Sequence, residues 1–361
     1  MKKAFIQTAA LKQKFSSLLF TIGIFSAIPV HAQPIEGIYF SHQDWETVCD
    51  NTGTCRTAGY SSEDDMYANN GWSPSVLFTR KAGANQPVIG ELQVLNWDGE
   101  TPSGPMTLWI DNKNHGTITS PKEPGTMKLS TAQVQALLDT AKTSKTIAFV
   151  SGDHKGTLSN QGMSAALLKM DDFQKRVGTT GALIRKGDKP ETDVLKAQPI
   201  PVLTVPKTLE NDEQLKAYYS NQKKKIIALT KTSFQEECFI EDDEDPRWAF
   251  YPLNEQQALI SRTCWRGAYN YGDAFWLVDK DLTSVELVSV LADYYERGQM
   301  SGSQKDRGVG DCWSSVGYAW DGRKMIQIDS SSTGLCKGAP GGFWVLPTLT
   351  YEVKNLNKNT P

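Results

Sequence analysis

The sequence predicts a mainly β protein with a few helices (α+β), built as two disulfide-stapled domains of short antiparallel strands. Three observations carry this. Ten Trp and twelve Tyr stand among 29 Gly, and aromatic residues beside frequent turn residues favour short strands and hairpins over long helices. Apolar runs of strand length recur between turn signals along the chain. Six cysteines, an even number, fall into three sequence-local pairs.

The elements follow in order. Lys2, Lys3, Lys12 and Lys14 lead into an apolar run from Phe15 to Ile28, which Pro29 breaks ahead of the small-residue site Val30-His31-Ala32. That is the layout of a secretory signal over residues 1–32, and the run is shorter than the ~20 residues a membrane span needs. No later stretch is apolar enough to span, so the expectation is a periplasmic or secreted protein with no stable membrane anchor after cleavage near Ala32. Loss of the signal removes four of the 38 basic residues and no acid, leaving 34 against 41 acidic ones and a formal charge of −7. Nucleic acid is excluded as a partner, because it requires a cationic face. Removing 32 residues from 361 leaves 329, beyond the ~250–300 at which single cores stop growing. Two domains are expected.

In the N-terminal domain, residues 33–185, strands are expected at 39–48, 75–79, 88–97, 106–110 and 147–150. Asp98-Gly99, directly after Trp97, predicts a hairpin-type turn. Ser130 and Gln133 form a capping box ahead of a helix whose inner face is Val134, Leu137, Leu138 and Ala141. A second helix carries Met163, Ala166, Leu167, Met170, Gln174 and Val177, with Gly178 as its C-cap. From 186 to 207, Pro190, Pro199, Pro201 and Pro206 preclude regular helix and predict an extended linker. The C-terminal domain, residues 208–361, opens with a short helix at 211–225 packed through Leu215, Tyr218 and Tyr219. Strands follow at 258–265, 274–278, 314–320, 324–329 and 344–346, with Asp321-Gly322 repeating the turn chemistry after another tryptophan.

Export would place all six cysteines in an oxidising compartment. Six cysteines allow 15 connectivities, and locality selects Cys49–Cys55, Cys238–Cys264 and Cys312–Cys336. Zinc is disfavoured: no pair has the spacing of a metal knuckle, and only His42, His115 and His154 follow the signal. No metal and no cofactor is expected.

Several segments resemble the bacterial exported family known as domain of unknown function 1176. They are Asp44-Trp45-Glu46-Thr47-Val48-Cys49-Asp50-Asn51 with Thr54-Cys55-Arg56, and the stretch 75–83 with Arg80 and Ala82. Ala165-Ala166-Leu167-Leu168 with Asp171-Asp172-Phe173-Gln174 is similar too, as is the run Cys264-Trp265-Arg266-Gly267-Ala268-Tyr269-Asn270. Arg307-Gly308-Val309-Gly310-Asp311-Cys312, Trp320-Asp321-Gly322, Cys336-Lys337-Gly338 and Gly341-Gly342-Phe343-Trp344 complete the set. Trp313 departs from it, standing where the family has glycine. The first domain is also similar to the invasion-associated locus B proteins through its Asp-Trp and paired-cysteine opening. Neither resemblance implies a reaction, so neither assigns a catalytic residue.

The residues themselves give little chemistry. Ser164, in Gly162-Met163-Ser164-Ala165-Ala166, lacks the second glycine of a nucleophile elbow and falls in a helix. Ser151-Gly152-Asp153-His154 reads as a polar loop rather than a relay. Each cysteine has an expected disulfide partner, which would leave no thiolate nucleophile. Arg307-Gly308-Val309-Gly310 would offer backbone N–H groups to an anion, with Arg266 nearby for a carboxylate or phosphate, or else shape turns beside the disulfides. Glu241-Asp242-Asp243-Glu244-Asp245 lacks the alternating spacing of a calcium loop and reads as a solvated loop. Trp265, Trp313 and Trp320, with Trp248, Trp276 and Trp344, would form a platform for a sugar or peptide if exposed, and core if buried. The reading is a non-catalytic binding protein of the cell envelope with a protein or glycan partner. The alternative is an envelope glycan hydrolase using a carboxylate pair.

Overall fold

The computed structural model describes residues 34–68, 72–119, 125–240 and 247–357. The predicted signal and the acidic run at 241–245 lie outside the described residues.

The stretch 39–48 folds back on itself instead of forming one strand. β1 (Ile38–His42) and β2 (Trp45–Cys49) pair antiparallel, with Gln43 at the turn in a positive φ of 54°. β3 (Cys55–Tyr60) follows, and the Cys49–Cys55 disulfide closes the turn between residues directly opposite in register. After α1 (Glu63–Ala68), β4 (Ser73–Arg80) and β5 (Ile89–Leu95) extend the meander. β6 (Met106–Ile110) and β7 (Lys113–Ile118) begin a second sheet, while β8 (Met127–Lys128) returns to the edge of the first. Then come α2 (Thr131–Leu138), β9 (Ile147–Ser151), β10 (His154–Leu158) and α3 (Met163–Phe173). The first sheet runs β1-β2-β3-β4-β5-β8 and the second β10-β9-β6-β7. Trp45, Phe78 and Leu92 meet Leu108 and Phe149 between them, and Val134 and Leu167 bring the two helices onto the same core.

The capping box forms as expected: Ser130 Oγ accepts from Gln133 N, and the Gln133 side chain accepts from Ser130 N. α3 ends earlier than the apolar spacing predicts, at Phe173 rather than at Gly178. Gln174 leaves the helix to donate from Nε2 to Gly53 O and Arg80 O, both at 2.9 Å. Asp98-Gly99 is a turn stabilised by Asn96 Oδ1, but it joins strands of different sheets and so makes no hairpin.

The predicted linker region 186–207 contains a 3₁₀ turn (Glu191–Asp193) and β11 (Val202–Val205). The helix expected at 211–225 is two, α4 (Glu213–Asn221) and α5 (Lys223–Glu237), the second buried through Ile226, Thr230 and Phe234 at four-residue spacing. β12 (Trp248–Pro252), β13 (Gln257–Arg266), β14 (Tyr271–Asp279) and β15 (Val285–Ser289) form a third, antiparallel sheet. β16 (Tyr294–Glu296), β17 (Gln299–Lys305), β18 (Trp313–Trp320), β19 (Met325–Ser332) and β20 (Leu346–Leu349) form a fourth. Here Asp321-Gly322 does close a hairpin, β18 to β19. β21 (Glu352–Asn355) pairs parallel with β11.

The third sheet is covered on one face by α4 and α5 through Tyr219, Ile226, Phe234 and Trp276. Leu259, Phe275, Met300 and Trp320 join its other face to the fourth sheet. The outer face of the first sheet is buried too, because Ala339, Phe343 and Trp344 pack on Val48, Ala58, Tyr60 and Leu77. The three disulfides are Cys49–Cys55, Cys238–Cys264 and Cys312–Cys336, the predicted pairs. From Ile35 onward the described residues cluster as one unit. Among the described residues no helix is long and apolar enough to cross a membrane.

Candidate functional site

The loop from β17 to β18 turns on Gly310, whose φ of 73° suits a residue without a side chain. Arg307 grips Asp311 at two points, Nε to Oδ1 at 2.6 Å and Nη2 to Oδ2, and Gly338 N donates to Oδ2 at 2.6 Å. Burial pushes the Asp311 carboxyl up, but the hydrogen bonds from Arg307 and Gly338 outweigh it and hold the group below its ordinary range. Cys312–Cys336 then ties the loop to the segment that carries Lys337 and Pro340. The Asp311 carboxylate and the two sulfurs lie within 4.8 Å of one another, but a disulfide offers no thiolate to a metal.

Above this loop lies a cleft of about 530 Å³, walled by Met66, Trp97, Arg307, Val309, Lys337 and Pro340. Val309 is 76% exposed and Trp97 43%. Lys337 Nζ pairs with Asp44 Oδ1 at 2.7 Å, so both cations of the cleft have an internal carboxylate.

Arg266 stands where β13 enters a tight turn closed by Gly267 N to Asn270 O at 2.7 Å. Asn270 exchanges two hydrogen bonds with the Lys305 backbone, at 2.8 and 2.9 Å, and the Tyr269 ring lies against Gly308. The structure thus sets the Arg266 and Arg307 loops side by side, with a smaller notch of about 350 Å³ around Arg247, Arg266, Tyr269 and Tyr271. The tryptophans divide. Trp265 is half-buried and donates to Val290 O at 2.7 Å. Trp313 donates to Gly310 O at 3.0 Å, with Lys305 Nζ 5.4 Å from a ring centroid. Trp320 is 2% exposed in the core between the third and fourth sheets, so its ring is core and not platform. Trp276 and Trp344 are also buried.

Ser151 and His154 face each other across the β9–β10 hairpin, and Ser164 is an ordinary residue of α3. A third cleft, of about 320 Å³, was not signalled by the sequence. Tyr39, Glu46 and Asp306 line it with serines of β18 and β19. Glu46 Oε1 accepts from the Tyr60 hydroxyl and from Leu335 N at 2.8 Å. Burial pushes the Glu46 carboxyl above its ordinary range against the pull of those two bonds. No spacing rule marks Glu46, because β2 is buried on both faces and carries no alternation to read.

These features define a disulfide-linked, mostly β protein with open clefts and internally paired charges. The residues behind the resemblance meet across the molecule: Asp44 with Lys337, Ser75 with Trp344, Arg80 with Asp171 and Gln174, Asp311 with Gly338. The chain belongs to the family described as protein of unknown function (DUF1176), which matches residues 39–351. It is similar to the uncharacterized protein YpfG of Escherichia coli (strain K12), 24% identical over 366 aligned positions that span 92% of this chain and 97% of the relative. No solved structure matches the chain.

Proposed function

We propose that the chain is exported and acts without catalysis, binding a protein partner of the cell envelope in the cleft of Trp97 and Val309. The observation that carries this is the make-up of that cleft: its two cations are neutralised from within, while apolar side chains stand exposed on its walls. Trp, Met and Arg are enriched at protein interfaces. Three disulfides support export, since cytosolic thiols are kept reduced. The lysine-then-apolar start of the sequence supports it as well. The likeness of the opening strands to invasion-associated locus B proteins fits the same compartment and adds no reaction.

Photo-crosslinkers placed at Trp97 and at Pro340 in the mature protein are expected to capture one envelope protein, and Val309→Glu to abolish capture while leaving the fold intact. Release of product from peptidoglycan or oligosaccharide, lost on replacing one Asp or Glu, would overturn the reading in favour of a glycan hydrolase. That rival has one specific observation behind it: Glu46 and Asp306 line the same cleft, and burial raises the Glu46 carboxyl as a general acid requires.

A further inference from the structure

The fourth sheet packs one face on the third sheet and leaves the other open. Alternation along β17 shows it: Met300 and Gly302 are buried, Ser301 and Ser303 exposed. A row crosses four strands on the open face, with Tyr294 opposite Ser301, Ser301 opposite Gly317 and Gly317 opposite Asp329. In the next row Ser303 stands opposite Ser315, their hydroxyl oxygens 2.7 Å apart.

At the β19 end of the first row the pairing slips, so that Ile328 has no partner on β18. Ile328 and Asp329 therefore line one cleft, where strict alternation would send them to opposite faces. Bulges of this kind re-aim side chains and are frequent beside functional sites. Gly317 contributes only backbone to the row, since a Cβ there would come within 3.2 Å of the Asp329 Cβ. The result is a cleft of about 390 Å³, with Tyr294 and Glu296 at one side and Ile328 and Asp329 at the other. Its polar lining is accessible: Tyr294 is 56% exposed, Ser301 and Ser303 are exposed, and Ser315 and Asp329 partly so.

The lining says what kind of ligand fits. No lysine or arginine lines the cleft, and its carboxylates repel an anion. Glu296 is already engaged by the Tyr294 hydroxyl at 3.2 Å and Arg297 Nε at 3.4 Å. Asp329 accepts from the Ser331 hydroxyl through Oδ2 at 3.1 Å, which leaves Oδ1 to accept from a ligand. A calcium ion collects ~6–8 oxygens, several of them from carboxylates, and one uncommitted carboxylate falls short of that. Serine hydroxyls donate and accept, and the tyrosine ring offers an apolar face. A sugar presents the complement, hydroxyls around its edge and C–H groups on its faces.

We propose that the open face of the fourth sheet binds a neutral sugar, stacked on the Tyr294 ring, with its hydroxyls held by Asp329, Ser301 and Ser303. A volume of about 390 Å³ lies low in the ~300–1,000 Å³ range of ligand sites and suits one sugar ring. The site shares no residue with the Trp97 cleft and does not depend on it. A free sugar and the end of a glycan chain present the same chemistry, and the probes separate them.

The mature protein is titrated with glucose, N-acetylglucosamine and the N-acetylglucosamine tetramer, and binding is followed by NMR. Saturable binding is expected, weakened about tenfold in Tyr294→Ala and in Asp329→Asn and unchanged in Val309→Glu. Both of the first two changes fall on side chains at least partly exposed, and the second keeps the side-chain shape. Binding of the tetramer alone identifies a chain end, and equal binding of the single sugars identifies a free sugar; both uphold the site. Absence of saturable binding with every probe overturns it, as does unchanged binding in either Tyr294→Ala or Asp329→Asn. Binding lost in Val309→Glu places the sugar in the Trp97 cleft and overturns it too. Binding accompanied by cleavage of the tetramer upholds the site but overturns the non-catalytic function proposed above.

Discussion

Arg176 is fully buried, and its guanidinium reaches Glu191 through Nη1, Gly83 O through Nη2 at 2.6 Å and Gln174 Oε1 through Nε at 2.9 Å. Arg80 stands 3.7 Å from both Asp171 and Glu191, and burial together with the Arg176 charge pulls its pKa down to about 10. Removing one carboxylate from such a group leaves buried charge uncompensated, which costs about 3–5 kcal/mol. Glu191→Ala is expected to lose that much in urea unfolding; a loss below ~1 kcal/mol would mean the network contributes no more than a surface pair. The pH dependence has a definite sign. Burial pushes the Glu191 carboxyl up, but the Asn85 N–H and Arg176 outweigh it and leave the folded pKa below 4.5. Its contribution is therefore present above about pH 4.5 and lost as pH falls through the lower folded value. Glu46 and Asp171 run the other way, since burial raises both: their contribution is present at acid pH and is lost as pH rises through the folded pKa. Unfolding from about pH 3 to 7 should show wild type and Glu191→Gln converging towards the acid end, and a constant gap would rule this out.

Among the elements, α2 depends on its cap. Ser130→Ala is expected to cost about 1 kcal/mol in thermal or urea unfolding, and an unchanged midpoint would show that packing of Val134 and Leu137 alone holds the helix. Cys238–Cys264 ties the C-terminal cap of α5 to β13 across 26 residues. Replacing both by Ser should lower stability by about 3–4 kcal/mol on the chain-entropy view and speed amide exchange in the last turn of α5 before that of α4. Exchange that rises equally in both helices would show the staple acts on the whole unit. At this scale much was legible, because caps, turns and helix faces are set by neighbours a few residues apart. Several elements were not, and two show why. α3 ends early since Gln174 is drawn into the Arg176 network, and the run at 39–48 contains a turn at Gln43-Asp44 that no Gly or Pro announces.

Across the whole molecule, residues 333–346 act as a clasp on the outer face of the first sheet. Lys337 reaches Asp44 over 293 residues of sequence and Trp344 Nε1 reaches Ser75 Oγ over 269, at 2.7 and 2.6 Å. Trp344→Ala empties a site packed on Val48, Tyr60 and Leu77 and should cost about 3–5 kcal/mol; a smaller loss in urea would mean the clasp closes over the gap. The division into two domains at 186–207 remains a proposal, supported by the separate clusters around Trp45 and around Trp276. A protease site at residues 196–200, outside helix and strand, tests it against the clasp. The two fragments are expected to co-elute in native buffer and to part in denaturant without reductant. Parting in native buffer would show that the clasp is too weak to hold the halves.

By itself the sequence determined the β-rich class, the three cysteine pairs, the capping box of α2 and the Asp321-Gly322 hairpin. Each rests on chain neighbours, whose conformational preferences and short loop closures operate before distant segments meet. Only the tertiary structure decided that Trp320 is core, that Arg307 is spent on Asp311, and that Glu46 lies buried with one oxygen unpaired. Burial on both faces of a strand, and pairs closed over hundreds of residues, depend on which surfaces meet in space, and no local period in the chain encodes that.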